Sequence, residues 1–229
     1  MELSVRLQAV ADMVTEGTKV ADVGTDHAYI PIYLVEHDKN PSAIAMDINR
    51  GPLKKAEENI SSHNLENKIE TRLSDGLKQL HLGEADSLVI AGMGGGLVVK
   101  IMEEGTLHKK YVKEWILQPQ SEISKVRQYL NENGYCIVEE NMVIDEGKFY
   151  PMMRVTEGTI EEYTQEELCY GKCLLKEKNP ILKKFLEKEI DIKKEILEKL
   201  HQTKGGQVAK RIEEIEEETD RLQKTLSSF

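Results

Sequence analysis

From residue 19 to residue 156, short apolar runs alternate with helical stretches, and that alternation limits the fold more than any other feature of the chain. The runs 19–24, 42–47, 69–74, 87–91 and 115–118 have the length and spacing of strands. Between them, 28–36, 51–63, 95–104 and 123–133 read as helices. Pro52 sits in the first turn of one, and Gly134 stops the last. An amphipathic helix precedes them all, with Leu3, Leu7, Val10 and Val14 at helical spacing. Strand then helix, repeated, predicts a mainly parallel, doubly wound α/β sheet. Two further runs, 135–144 and 150–156, flank Asp145-Glu146-Gly147 and are expected to close one edge as an antiparallel pair.

After about residue 160 the texture changes. Lys and Glu dominate, and strand formers become rare. Val208, Ile215, Leu222 and Phe229 are seven apart, with Ile212, Thr219 and Leu226 between them, which is a heptad seam. An earlier stretch offers Leu168, Leu175, Leu182, Phe185, Ile192 and Ile196, interrupted by Glu189. Gly205-Gly206 between the two lets the chain reverse, so an antiparallel helical hairpin is expected. This places a Rossmann-like domain at 1–157 and a helical hairpin at 158–229.

Charge is divided unevenly between the two parts. Up to residue 157 there are 17 Lys and Arg against 25 Asp and Glu; beyond it, 14 against 16. An acidic first part is unlike a non-specific nucleic-acid binder, because neutralising phosphates needs clustered cations. An RNA partner would have to meet local pairs such as Lys54-Lys55, Lys109-Lys110 with Lys113, Lys183-Lys184 or Lys193-Lys194, each more readily read as solvated surface.

The chemistry gathers where the runs end. Asp22-Val23-Gly24-Thr25-Asp26-His27-Ala28 puts a glycine between the first strand and its helix, where backbone passes close to a ligand. The second and third glycines of a dinucleotide turn are missing, so a ligand without phosphates is better served. Asp47 closes the second strand, where a carboxylate can accept hydrogen bonds from the ribose hydroxyls of an adenosyl cofactor or cap the next helix. Asp75-Gly76 follows the third, where Asp75 can meet the exocyclic amine of adenine or simply make a turn. Ala91-Gly92-Met93-Gly94-Gly95-Gly96 follows the fourth and suits either backbone packed on a bulky group or a phosphate cradle. No Gly-Lys-Ser/Thr follows it, which argues against a P-loop hydrolase. Signals at successive strand ends favour an adenosyl-cofactor methyltransferase over an NAD-dependent oxidoreductase.

The segments Asp-Val-Gly-Thr-Asp-His-Ala-Tyr-Ile-Pro (22–31), Ile-Ala-Gly-Met-Gly-Gly (90–95) and Ile-Leu-Gln-Pro (116–119) resemble the signature segments of the TrmK family. Its members are bacterial tRNA (adenine-22, N1)-methyltransferases that pair a class I methyltransferase domain with a C-terminal coiled coil. The resemblance covers essentially the whole chain. It implies that Gly24, Asp47, Asp75 and Gly76 line a pocket for S-adenosyl-L-methionine, with Gly92 and Met93 beside the methyl-donor end. It also implies that Asp26 handles the target adenine and that Gln118 and Pro119 flank the base pocket, and it makes tRNA the partner.

On that reading, N1 attacks directly through its own lone pair, so positioning and desolvation carry most of the catalysis. Asp26 would stabilise the cationic product beside the N6 amine, with His27 as proton acceptor or packed neighbour; the alternative for Asp26 is a helix N-cap. Extruding an adenine from a stacked arm costs roughly a few kcal/mol, and Tyr29 and Tyr150 are the aromatic candidates to receive it, or core residues. Two rival functions are a methyltransferase for a small molecule and a non-catalytic cofactor-binding or interaction module. No metal site is expected: Cys169 and Cys173 read as buried residues on one helical face. Three cysteines, no apolar run long enough to cross a bilayer and no secretion signal point to the cytoplasm. Nothing in the sequence sets the oligomeric state.

Overall fold

In a computed structural model that describes residues 1–202 and 206–229, the apolar runs become seven strands of one sheet. They are β1 (Val20–Val23), β2 (Ala43–Asp47), β3 (Ile69–Leu73), β4 (Ser87–Met93), β5 (Glu114–Pro119), β6 (Tyr135–Asp145) and β7 (Lys148–Glu157). Their order across the sheet is β3-β2-β1-β4-β5-β7-β6. The first five run parallel, and β7 pairs antiparallel with both β5 and β6. Sequence order reverses between β1 and β4, which in an open α/β sheet opens a crevice at the carboxyl ends of those strands. The β6–β7 connection is a two-residue turn with Glu146 at φ +47° and Gly147 at φ +76°. Two successive left-handed residues match the twist of a tight hairpin.

Five helices cover the sheet: α1 (Val5–Asp12), α2 (Tyr29–Glu36), α3 (Arg50–Ser62), α4 (Gly95–Glu104) and α5 (Ile123–Glu132). A 3₁₀ turn, Thr106–Lys110, leads from α4 into β5. Side chains alternate across each strand, so each strand feeds two cores. Ala21, Val23, Leu88, Ile90 and Leu117 pack with Val98, Met102, Val126 and Leu130 of α4 and α5. Val20, Ala43, Ala45, Val89 and Ile116 pack with residues of α1, α2 and α3, among them Val10, Ile32, Val35 and Ile60. Asp22 shares the parity of Val20, so its carboxyl points toward the α1–α3 side. Alternation thus puts one acid into a core face.

The chain divides into two units, Met1–Glu162 and Tyr163–Phe229. In the second, the expected single arm from residue 160 is corrected to three helices: α6 (Gln165–Tyr170), α7 (Lys172–Lys176) and α8 (Pro180–His201). Gly171 at φ +97° and Lys178 at φ +51° break the chain between them, and Asn179 caps α8 by accepting from the backbone N–H groups of Ile181 and Leu182. A heptad counted from Leu168 and Leu175 therefore loses its register before α8 begins. The buried stripe of α8 is Leu182, Leu186 and Ile190, whereas Ile192 and Ile196 are exposed. Cys169 and Cys173 lie on separate helices and are half-buried, which corrects the reading of two buried residues on one face.

The last helix, α9 (Gly206–Leu226), follows the expected seam: Ile215, Thr219 and Leu222 are buried along it. Thr219 satisfies its hydroxyl by donating to the Ile215 carbonyl, 2.7 Å away. Lys193 of α8 pairs with Glu218 of α9, and Phe185 and Glu189 of α8 share a cavity with Arg221 and Leu222 of α9, so the two run antiparallel. Gly205, on which the expected reversal rests, lies outside the described residues.

One buried ion pair fastens α5 to the sheet. Arg127 Nε donates to Glu140 Oε1 of β6 at 2.8 Å, with both side chains inaccessible to solvent. Removing one partner strands the other charge in the core, which costs about 3–5 kcal/mol. Arg127→Met is expected to lower stability by about that much, measured by urea denaturation, and Arg127→Met with Glu140→Leu to recover most of it.

Candidate active site

The chain leaves β1 through a turn that polar residues alone would not hold. Gly24 and Thr25 both donate their backbone N–H groups to the carbonyl of Met46 at the end of β2, at 2.8 and 2.9 Å. That double bond folds the backbone back over the strand ends and needs left-handed residues. Gly24 takes φ +75°, Asp26 +48° and Ala28 +59°. Glycine does so freely; for Asp and Ala the conformation costs on the order of 1 kcal/mol each.

Asp22 anchors this turn from below. Thr25 Oγ1 donates to its Oδ2 at 2.6 Å. Burial pushes the Asp22 carboxyl up to about 6; the Thr25 hydroxyl opposes that shift, and the neighbouring Asp47 charge adds to it. Asp26, four residues on, is in the opposite environment: its side chain is 70% exposed, 3.5 Å from His27 Nε2. The helix-cap alternative for Asp26 is not what forms. α2 is capped at Ala28, in the left-handed region, with no side-chain hydrogen bond. The ring of His27 stacks on Tyr29 at 5.1 Å and 11°.

A groove of about 250 Å³ opens at the ends of β1 and β4, where strand order reverses. Asp22, Gly24, Asp26 and Tyr29 line one side, Ala91, Gly92 and Gln120 the other, and Arg6 of α1 reaches in. The expected residues Gly24, Asp26, Tyr29 and Gly92 therefore meet in one place. Met93 lies directly against Gly24: a Cβ there would stand 2.1 Å from the Met93 methyl. Gln118, at the end of β5, is fully buried. Its Oε1 accepts from the Gly92 backbone N–H at 3.2 Å and from Arg6 Nη1 at 3.1 Å, and its Nε2 donates to the Pro119 carbonyl at 3.2 Å. The Arg6 guanidinium sits 5.5 Å over the ring of Tyr150.

The glycines after Met93 answer to packing. A Cβ on Gly95 would lie 2.4 Å from the Ser121 carbonyl oxygen, and the Gly95 N–H donates to that oxygen at 3.1 Å. The β4–α4 loop is pressed against the β5–α5 loop, which weakens the phosphate-cradle reading because a donor it needs is already used.

Asp47, Asp75 and Gly76 stand along the same strand edge, outside the groove's lining. Asp47 Oδ1 accepts from the Asn49 N–H at 2.7 Å, a local turn rather than a cap for α3, whose cap residue Asn49 makes no side-chain bond. Its Oδ2 has no partner among the described residues. Asp75 pairs with Lys78, whose hydrogen bond and charge hold the carboxyl below its ordinary value, in keeping with the turn reading. Ile101 packs 3.4 Å from where a Gly76 Cβ would stand.

Several groove residues escaped the sequence reading, among them Asp22, Gln120 and Arg6. Asp22 stood in the quoted segment, and its parity with Val20 was a usable signal. Ile48, 59% exposed directly after Asp47 and outside the groove's lining, is an apolar residue among polar neighbours, which was also legible. Arg6 gave no signal, since it comes from a helix remote in sequence from its partners.

A family model described as tRNA (adenine(22)-N(1))-methyltransferase, TrmK, matches residues 20–224. The protein of that name from Bacillus subtilis (strain 168) is 32% identical over 228 residues, covering 97% of this chain and 95% of the relative. The crystal structure of the B. subtilis enzyme superposes with a TM-score of 0.85 at 31% identity, over 98% of this chain and 99% of that one. A Streptococcus pneumoniae relative solved with S-adenosyl-L-methionine gives 0.88 at 32% identity, over 98% and 100%. M. capricolum TrmK, solved with S-adenosyl-homocysteine, gives 0.84 at 27% identity, over 100% and 99%.

Asp22 carries a testable cost. Its folded value near 6 lies above the ordinary 3.8, so the folded state binds the extra proton between those values. The cost is full above pH 6 and disappears as pH falls toward 4. Asp22→Asn should therefore raise the melting temperature at pH 8 and lose most of that advantage by pH 4.5, as followed by thermal melts across the range.

Proposed function

Because the chain belongs to the TrmK family of tRNA (adenine(22)-N(1))-methyltransferases, we propose that the groove at the ends of β1 and β4 is where the methyl donor and the target adenine meet. The enzyme is an S-adenosyl-L-methionine-dependent methyltransferase acting on N1 of adenine in tRNA. The observation that carries the site assignment is the pairing, on one left-handed turn, of a buried Asp22 with an exposed, uncapped Asp26.

The strand edge fits an adenosyl cofactor. Asp47 keeps one carboxylate oxygen for ribose hydroxyls, and exposed Ile48 beside it offers an apolar face to the adenine ring. Asp75 and Gly76 stand at the next strand end for the adenine edge, where Asp75 would share its carboxylate with Lys78. Gly24 lets backbone approach the ligand, and Asp22 is suited to the cationic amino-acid end. When bound, S-adenosyl-L-methionine supplies an electrophilic methyl group: the S–CH₃ bond breaks, its electron pair stays on sulfur, and the adenine N1 lone pair forms the new bond.

The chain's own residues act by placement and electrostatics. Gly92 and Met93 border the transfer site, with Gly92 fixed through Gln118. Asp26 faces the groove unneutralised by any Lys or Arg among the described residues. It is placed to accept from the N6 amine of adenine and to stabilise the positive charge that the ring gains. His27 lies 3.5 Å from Asp26, as proton acceptor or packed neighbour, and stacks on Tyr29. Tyr29 lines the groove and Tyr150 packs under the Arg6 guanidinium, and these two rings are the candidate surfaces for an extruded base; Pro119 ends β5. A tRNA substrate puts the proposed activity in the cytoplasm. No helix among the described residues is long and apolar enough to cross a membrane.

Incubation with labelled S-adenosyl-L-methionine and unmodified bacterial tRNA should yield 1-methyladenosine on nucleoside analysis, and its absence would refute the assignment. Asp26→Asn should lower kcat roughly 100-fold while calorimetric cofactor affinity is kept; normal turnover would remove Asp26 from the chemistry. Cofactor binding should release protons near pH 6, because a cation beside Asp22 favours its ionised form. Calorimetry in buffers of different ionisation enthalpy reads this directly, and Asp22→Asn should abolish it.

A further inference from the structure

Building on that reading, we infer that Arg6 is the groove's receptor for a phosphate of the RNA: the phosphodiester beside the adenosine that is drawn out of its stack. Arg6 is the one basic residue lining the groove. Its half of the chain is acidic, with 17 basic against 25 acidic residues up to residue 157. Even so, no carboxylate among the described residues pairs with its guanidinium. An unpaired cation, partly shielded and aimed into a groove, is a standing invitation to an anion.

Its pose is fixed from three directions. The Arg6 backbone N–H donates to Asp145 Oδ2 at the end of β6, at 3.1 Å, which pins the start of α1 to the hairpin. The guanidinium lies over Tyr150 of β7. One Nη1 hydrogen goes to the buried Gln118 Oε1, leaving the remaining donors of the fork without protein acceptors among the described residues. A planar fork so held matches two phosphate oxygens. Gln118 is a positioning residue here, since the same oxygen ties Arg6 to Gly92 at the transfer site.

Strand order separates this anion site from the cofactor's adenosine. Asp47 and Asp75 follow β2 and β3, on one side of the reversal. The contacts of Arg6 come from β4, β5 and the β6–β7 hairpin, on the other. A base entering beside Gly92 brings its own phosphodiester to that second side. Phosphate contacts of this kind set register without reading sequence.

The test compares wild type with Arg6→Gln, Arg6→Lys and Gln118→Met in two measurements. These are steady-state kinetics on unmodified tRNA across a salt series, and calorimetric affinity for S-adenosyl-L-methionine without RNA. Arg6→Gln should lower kcat/KM for tRNA roughly 10- to 100-fold, through KM, with cofactor affinity unchanged. It should also flatten the dependence of log kcat/KM on log salt by about one unit. Arg6→Lys should keep the salt slope and lose part of the affinity; Gln118→Met should raise KM less, also at unchanged slope. Weakened cofactor affinity with normal KM for tRNA would overturn the inference and assign Arg6 to the cofactor's carboxylate, as would an unaltered salt slope in Arg6→Gln. Intact cofactor binding by each variant shows that it is folded. A wild-type enzyme that forms no 1-methyladenosine would instead defeat the underlying functional reading.

Discussion

Two N–H groups, those of Gly24 and Thr25, converge on the single carbonyl of Met46, and the site is organised around that junction. It joins β1 to β2 at their ends and turns the chain sharply back, so that three of the next five residues adopt positive φ. Because the turn is tight, Asp26 projects outward while Asp22 remains in the core beneath it. Because Gly24 has no side chain, Met93 of β4 can lie against it and close the gap between the strands. Replace the glycine, and the strain of φ +75° remains while the Met93 side chain must swing away from the point where strand order reverses. The conformational cost of the turn is supported by the parallel sheet, whose register fixes where Met46 presents its carbonyl.

The antiparallel end of the sheet makes a different contribution. Inserting β7 between β5 and β6 brings a long hairpin up beside β5, and the tight turn at Glu146-Gly147 sets its length. Asp145 and Tyr150 consequently arrive at the level of the parallel strand ends, where they hold α1 and the Arg6 side chain. A purely parallel sheet would have ended at β5 with no element to carry them. The five parallel strands thus present carboxylates and glycines, and the hairpin adds an aromatic ring and holds the cation that α1 brings. The division matches the two ligands, one carrying a sulfonium and the other a phosphate backbone.

Much of this was legible because it depends on local pattern. Every strand and every α-helix of the sheet unit left a local signal, and the acids and glycines at strand ends follow from the chain's need to turn there. What depends on contacts between distant segments was not legible. Nothing near Arg6 in sequence announces Gln118, and the crowding of Gly94, Gly95 and Gly96 pointed to a ligand when the neighbours are Ser121 and Glu122 on the next loop. In the second unit the heptad held on α9, where the helix is continuous. It failed on the preceding stretch, because a periodicity carried through Gly171 and Lys178 assumes a helix that those backbone angles end. Periodic patterns survive only as far as the element that carries them.

Asp22 and Asp26 show why composition alone misjudges such a site. Net charge counts them alike, yet one is desolvated under a threonine hydroxyl and the other stands in solvent beside a histidine. A cationic ligand gains most from the buried carboxylate, where low polarity strengthens the attraction and where an ion is most costly to leave alone. The exposed one is better suited to a partner that arrives and departs with each turnover, since its desolvation is reversed when the product leaves. Four residues of chain, folded by one doubly bonded carbonyl, therefore separate a group fitted to hold the cofactor from a group fitted to meet the base.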